Sequence, residues 1–188
     1  AMRPNELIKR LEEGALENFR YLYGDGVKEQ TERYIKAVKE FTALYGEDRE
    51  VFVFSVPGRT EVCGNHTDHN HGKVMAGAIN RDIISVVSKN DKGQIRFFSE
   101  GYHESVISIS ASHDPKNFRQ FTSAALVAGM VRGFSDAGYS VGGFDAYIES
   151  SVLPGSGLSS SAAFEVLLGT IINHLFFEGK STQPEVAQ

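Results

Sequence analysis

Between residues 5 and 22 the apolar side chains Leu7, Ile8, Leu11, Ala15, Leu16, Phe19 and Leu22 fall three or four positions apart, and Ile35, Val38, Phe41 and Leu44 repeat that spacing over residues 28–45. A period near 3.6 gathers each set on one face of a helix. The chain therefore opens with two amphipathic helices, separated by the turn Gly24-Asp25-Gly26. The run Val51-Phe52-Val53-Phe54-Ser55-Val56 reads as a short buried strand that Pro57-Gly58 halts at a loop.

Further along, residues 74–90 hold the β-branched run Ile83-Ile84-Ser85-Val86-Val87, followed by the turn Asn90-Asp91-Lys92-Gly93 and the segment Gln94 to Ser99. These predict two strands joined by a tight turn. Val106, Ile107 and Ile109 suggest one more strand. Helical spacing returns over 117–137 (Phe118, Phe121, Ala125, Val127, Val131), ended by Gly138. In 143–152 the apolar Phe144, Ala146 and Ile148 alternate with Asp145, Tyr147 and Glu149, which is a strand, and from about 159 to 177 the spacing is helical again. No internal repeat is visible. Strands with helices before, between and after them predict an α+β fold, with helices on one face of a mixed or antiparallel sheet. The expected division is a helical segment over 1–50 and a domain over 51–188.

The chain has 188 residues, a length that suits one domain. Nineteen basic side chains against twenty-four acidic ones give a formal charge of −5, with no run of Lys or Arg. That pattern excludes the basic patch of a nucleic-acid partner. Cys63 is the single cysteine, so no disulfide framework exists and a reducing, cytoplasmic setting is expected. No uninterrupted apolar stretch reaches the ~18 residues that a membrane span requires. Ser181-Thr182-Gln183-Pro184-Glu185 has the cap, Pro and Glu of a helix start, so the sequence is expected to continue past Gln188 in a longer protein.

Two loops carry chemistry. Pro154-Gly155-Ser156-Gly157-Leu158-Ser159-Ser160-Ser161-Ala162-Ala163 opens the last helix. Its glycines let the backbone approach a ligand, the helix N-terminus aims unpaired N–H groups at it, and the serines add hydroxyls or a magnesium ligand. Phosphate fits best. The loop lacks the Lys of a P-loop and the second Gly of a nucleophile elbow; a plain serine helix cap is the bland alternative. The second loop runs from Pro57 to Gly72 and packs Arg59, Glu61, Asn65, His66, Asp68, His69 and His71 among glycines. Asp68 can accept from neighbouring sugar hydroxyls, Asn65 and His66 can donate or accept, and Arg59 is a fixed cation suited to phosphate. The alternative chemistry is a divalent-metal hydrolase held by His66, Asp68, His69 and His71. It would need a second ligand cluster downstream, where only the scattered His103, His113 and His174 remain.

Taken together, the two loops resemble the galactokinase branch of the kinases named after galactokinase, homoserine kinase, mevalonate kinase and phosphomevalonate kinase. The first is similar to the signature Gly-Arg-x-Asn-x-x-Gly-Glu-His-x-Asp-Tyr, the second to the phosphate loop Pro-x-Gly-x-Gly-Leu-Ser-Ser-Ser-Ala, and their order and separation match over nearly the whole chain. The resemblance implies the N-terminal domain of that superfamily, with a mostly antiparallel sheet. It also implies ATP-dependent phosphorylation of the anomeric hydroxyl of galactose by the complete protein. By the same resemblance Arg59 is the catalytic arginine and Asn65, His66 and Asp68 bind the sugar. Gly155, Ser156, Gly157, Leu158, Ser159, Ser160 and Ser161 hold the ATP phosphates, and Ser161 ligates Mg2+. The partner is a small sugar, together with a C-terminal domain of the same protein. Asn65 stands where the family has Glu, His69 where it has Tyr and Glu61 where it has Asn, which keeps a uronate or other sugar kinase open. A non-catalytic sugar-binding relative is also open. No residue before Gln188 matches the family's catalytic aspartate, so the fragment alone is expected to be inactive.

Overall fold

A computed structural model of the chain describes residues 1–14, 18–64, 71–120, 122–152, 157–158 and 160–179. Three helices come first: α1 (Pro4–Glu12), α2 (Asn18–Tyr23) and α3 (Val27–Tyr45), the last two joined by a 3-10 turn at Gly24–Gly26. Then come β1 (Phe52–Cys63), β2 (Met75–Asn90), β3 (Gln94–Ser99) and β4 (Ser105–Ser108), followed by α4 (Ser123–Asp136), β5 (Gly143–Ser150) and α5 (Ser160–Phe177). Pro4 occupies the first turn of α1, where its missing N–H costs nothing. α4 begins on an N-cap, with Thr122 Oγ1 accepting from the Ala125 N–H at 3.2 Å.

The five strands form one sheet in the order β1-β2-β5-β3-β4. β1 with β2, β2 with β5, and β3 with β4 pair antiparallel, while β3 and β5 run parallel. The α+β class and the mostly antiparallel sheet thus match the reading of the sequence.

Helices flank both faces of this sheet, where the periodicity suggested one. α4 and α5 cover the face carrying Ile95, Phe97, Phe144, Ala146 and Ile148, filling it with Val127, Val131, Leu167, Leu168, Ile171 and Ile172. The N-terminal helices cover the other, where Leu7, Leu11, Phe19, Tyr34, Val38 and Phe41 meet Ile84, Val86 and Tyr147. The difference has a physical origin in β5. Its second set of side chains, Asp145, Tyr147 and Glu149, looks like a solvent face in sequence, yet Asp145 is 0% exposed and Tyr147 2%. Ion pairs make that burial possible: Asp145 bonds Arg49 and Arg96, at 2.5 and 2.6 Å, and Glu149 bonds Arg33 at 2.9 Å. Burial alone would raise the Asp145 carboxyl, but the hydrogen bonds and charges of Arg96 and Arg49 outweigh it and hold the group below its ordinary value.

Length and composition alone would let α5 cross a bilayer. In the structure it is a core helix, with Leu167, Ile171 and Ile172 fully buried. Each such side chain contributes about 1.5–3 kcal/mol through removal from water.

Candidate functional site

β1 does not stop at Pro57-Gly58. It runs on to Cys63, paired with the first half of β2, so Arg59, Thr60 and Glu61 lie on a strand rather than in a loop. Proline is tolerated there because β1 is a sheet edge and the ladder shifts register between Pro57 and Arg59. Beyond Asp82 the other strands fall away, and the β1–β2 hairpin projects as an exposed ribbon carrying Arg59.

Two glycines shape this ribbon. A Cβ on Gly58 would sit 3.1 Å from Val152 Cγ2 and 3.3 Å from Ile79 Cδ1, so glycine lets β1 pass close to the end of β5. Gly64, at φ 91°, closes the neck where the chain leaves β1, and a Cβ there would lie 2.2 Å from the Lys73 carbonyl oxygen. The segment holding Asn65, His66, Asp68 and His69 falls outside the described residues. Of the alternative metal set only His71 is described, at φ 59°. Among the described residues no three His, Cys, Asp or Glu side chains gather in a way that suits a metal ion.

The strand bearing Arg59 is joined to Leu158, just ahead of α5, by a backbone bond: the Arg59 N–H donates to the Leu158 carbonyl at 3.2 Å. Residues that sit about a hundred positions apart in sequence are thereby joined edge to edge. Gly155, Ser156 and Ser159 lie outside the described residues. Gly157 and Leu158 are described, and Ser160 and Ser161 form the first turn of α5.

Ser160 and Ser161 line a cavity of about 740 Å³ between the sheet and the N-terminal ends of α4 and α5. Thr122 and Ser123 bring the first residues of α4 to the same space. Its apolar wall is Ile83, Phe97, Ile148, Val152, Leu126 and Phe164. Ser99, Glu100 and His103 are among its other lining residues, and Glu100 is ion-paired with Lys36 of α3. Two helix N-termini bring positive dipole ends to one space. Hydroxyls supply further donors, and the apolar wall suits a flat ring. Such a cavity fits a ligand with one anionic end and one aromatic end, of nucleotide size. The sequence reading found the α5 side of this cavity. It missed Ser99, Glu100, His103 and Thr122, of which only Thr122, a cap residue ahead of a helical run, left a signal.

The geometry has counterparts among known proteins. Residues 39–89 match the family model of the galactokinase galactose-binding signature, and residues 124–188 match that of the GHMP kinases N terminal domain. The galactokinase of Ligilactobacillus salivarius (strain UCC118) is 35% identical over 138 residues, covering 73% of this chain and 35% of the relative. That of Clostridium tetani (strain Massachusetts / E88) is 35% identical over 148 residues, 79% of this chain and 37% of the relative. The chain thus spans about a third of the length of the curated relatives it matches. Among solved structures, Lactococcus lactis galactokinase complexed with galactose superposes with a TM-score of 0.72 at 26% identity, over 79% of this chain and 38% of that one. Methanococcus jannaschii mevalonate kinase shares the fold, with a TM-score of 0.58 at 15% identity over 73% of this chain and 45% of that one.

Proposed function

We propose, from the premise that this chain belongs to the galactokinase branch of the GHMP kinases, that the complete protein phosphorylates the anomeric hydroxyl of galactose with ATP. The observation that carries the reading is the Arg59 N–H to Leu158 bond, which sets the arginine beside the loop that opens on the 740 Å³ cavity. The galactose named with the Lactococcus lactis structure supports the sugar.

Arg59 is the catalytic residue in this reading. Phosphoryl transfer depends on positioning and on neutralising charge as it moves between oxygens, and a permanently charged guanidinium on a paired strand does this without reorganising. Asn65, His66 and Asp68 bind the sugar hydroxyls. The segment from Gly155 to Ser161 holds the ATP phosphates, with the α5 dipole and the Ser160 and Ser161 hydroxyls favouring the anion. The apolar wall of the cavity takes the base. Ser161 is the described residue that would hold Mg2+, which when bound would offset phosphate charge. The cytoplasmic assignment rests on the single cysteine, and the activity requires the C-terminal domain that such relatives have beyond this length.

Asn65 favours one second reading. A neutral amide tolerates the carboxylate of a uronate, which the family's Glu would repel, so galacturonate is the competing substrate. A coupled ATP assay of the complete protein with galactose, galacturonate and Mg2+ tests both. Turnover with galactose supports the proposal; turnover with galacturonate alone replaces the sugar and keeps the reaction; sugar binding without turnover by either overturns the kinase reading.

A further inference from the structure

Asp82 lies at a fork in the sheet. The β2–β5 ladder ends at Ile83 opposite Ser150, and the β1–β2 ladder shifts register immediately after Pro57 opposite Asp82. At this one residue β5 leaves toward the phosphate loop and β1 turns through its bulge toward Arg59.

Asp82 is bonded to both departing strands. Its backbone carbonyl accepts from the Ser151 N–H and from Ser151 Oγ, each at 2.9 Å, and its own N–H donates to Ser151 Oγ at 2.9 Å. On the other side, Ser55 Oγ of β1 donates to Asp82 Oδ2 at 2.6 Å. The carboxylate is 3% exposed, and it is anchored from the N-terminal helices. Arg33 Nη1 of α3 donates to Oδ1 at 2.5 Å, and the Tyr23 hydroxyl of α2 donates to Oδ2. Arg33 also spans to Glu149 of β5, through Nε to Oε1 at 2.9 Å and through Nη2 to the Asp82 carbonyl at 3.2 Å. Burial, then the Asp82 carboxylate, push the Tyr23 phenol far up, so it remains a donor at any physiological pH.

We infer that Asp82, held by Arg33 and Tyr23, is a positioning residue that sets the spacing between Arg59 and the phosphate loop, so that the N-terminal helices brace the reacting geometry from behind the sheet. The importance assigned to that spacing rests on the kinase reading of the site. A second buried carboxylate, Asp145, sits near the other end of β5, where its bonds go to Arg49, Arg96 and Asn90 and to neither Arg59 nor the Ser151 end of that strand. The two staples share their chemistry and burial and differ in what they hold.

The test compares Asp82→Asn with Asp145→Asn in the complete protein, at a temperature well below both unfolding midpoints. Loss of alignment of about 1 Å between reactants costs on the order of 10²-fold. Asp82→Asn is therefore expected to lower kcat by roughly 10- to 100-fold with KM for ATP changing much less, whereas Asp145→Asn lowers the midpoint and leaves kcat within about twofold, its contacts lying away from the site. Tyr23→Phe, which removes one donor, and Arg33→Lys, which keeps the charge and loses the fork, give smaller kcat losses and serve if Asp82→Asn does not fold. Amide exchange supplies a readout independent of turnover. The Arg59 amide, bonded to Leu158, should exchange faster in the Asp82 and Tyr23 variants and unchanged in the Asp145 variant. Equal kcat losses from both staples, or unaltered Arg59 exchange in the Asp82 and Tyr23 variants, overturn the inference. A wild-type protein without phosphoryl transfer overturns the functional reading instead, and the exchange arm still decides the brace.

Discussion

Replacing Gly64 with alanine should force it apart from Lys73 and Val74, at the base of the segment proposed above to bind the sugar. The backbone there has φ 91°, and the new Cβ would lie 2.2 Å from the Lys73 carbonyl oxygen and 2.8 Å from the Val74 Cα. An L-residue in a left-handed conformation costs about 1–2 kcal/mol. Relieving the overlap requires the two neck strands to part by nearly 1 Å, and packing strain of that kind adds about 1–3 kcal/mol. The sum, roughly 2–5 kcal/mol, corresponds to a fall in Tm of about 2–4 °C per kcal/mol for a domain of this size, or about 4–20 °C in all. Where Gly64 and Lys73 yield, strain is exchanged for their displacement, and on the proposed reading sugar affinity falls while Tm recovers. Gly93→Ala separates the two terms, since Gly93 has φ 62° and nothing within 4 Å of its added Cβ; it should show the strain term alone. Calorimetric melting and galactose titration of both variants in the complete protein check this. A Gly64→Ala protein whose Tm and sugar affinity both match those of Gly93→Ala would refute the steric argument.

Arg59→Ala in the complete protein should lower kcat at least a hundredfold while sugar affinity changes little, because its charge matters where charge develops; separate measurement of kcat and Kd decides. Ser161→Ala should raise the Mg2+ concentration needed for half-maximal activity, read by metal titration at saturating ATP. Because the folded Asp145 carboxyl lies below its ordinary value, its contribution to stability is complete above the usual carboxylate range near pH 3.9 and is lost as pH falls through the folded value. Urea midpoints between pH 5 and 2 should therefore fall more steeply for the wild type than for Asp145→Asn. Ile171→Ala, at a fully buried position of α5, should cost about 2–5 kcal/mol by denaturant unfolding, with activity per folded molecule unchanged.

Periodicity located one long helix on each face of the sheet. The 28–45 pattern became α3 (Val27–Tyr45) and the 159–177 pattern became α5 (Ser160–Phe177), since in each case apolar spacing and burial coincide. The first pattern, over 5–22, is divided in the structure between α1 and α2, with 15–17 outside the described residues. Strand ends were harder to read. Pro57-Gly58 is a local stop signal, but its force depends on whether a neighbour needs the missing N–H, and that is a property of sheet order. Only the placement of β1 at an edge, with a bulge, lets the strand continue through proline to Arg59.

The same distinction separates the legible part of the site from the rest. Arg59 and the serines of α5 stand in short, glycine-marked segments whose chemistry is local, so residue type and spacing sufficed to nominate them. Asp82 stands beside a β-branched run, where a lone carboxylate resembles a solvated strand end. Its partners Tyr23, Arg33, Ser55 and Ser151 come from four different segments. No window of sequence contains the cluster. Each partner taken singly has an ordinary surface explanation; a buried carboxylate becomes tolerable only when several donors arrive together. The polar half of β5 behaves the same way, because Asp145 is buried and Glu149 largely covered by pairing with arginines from the helical segment, the connection to β1 and β3. Residues acting through non-local pairing are therefore the ones a sequence conceals, and in this chain they lie behind the strand that bears Arg59 rather than on it.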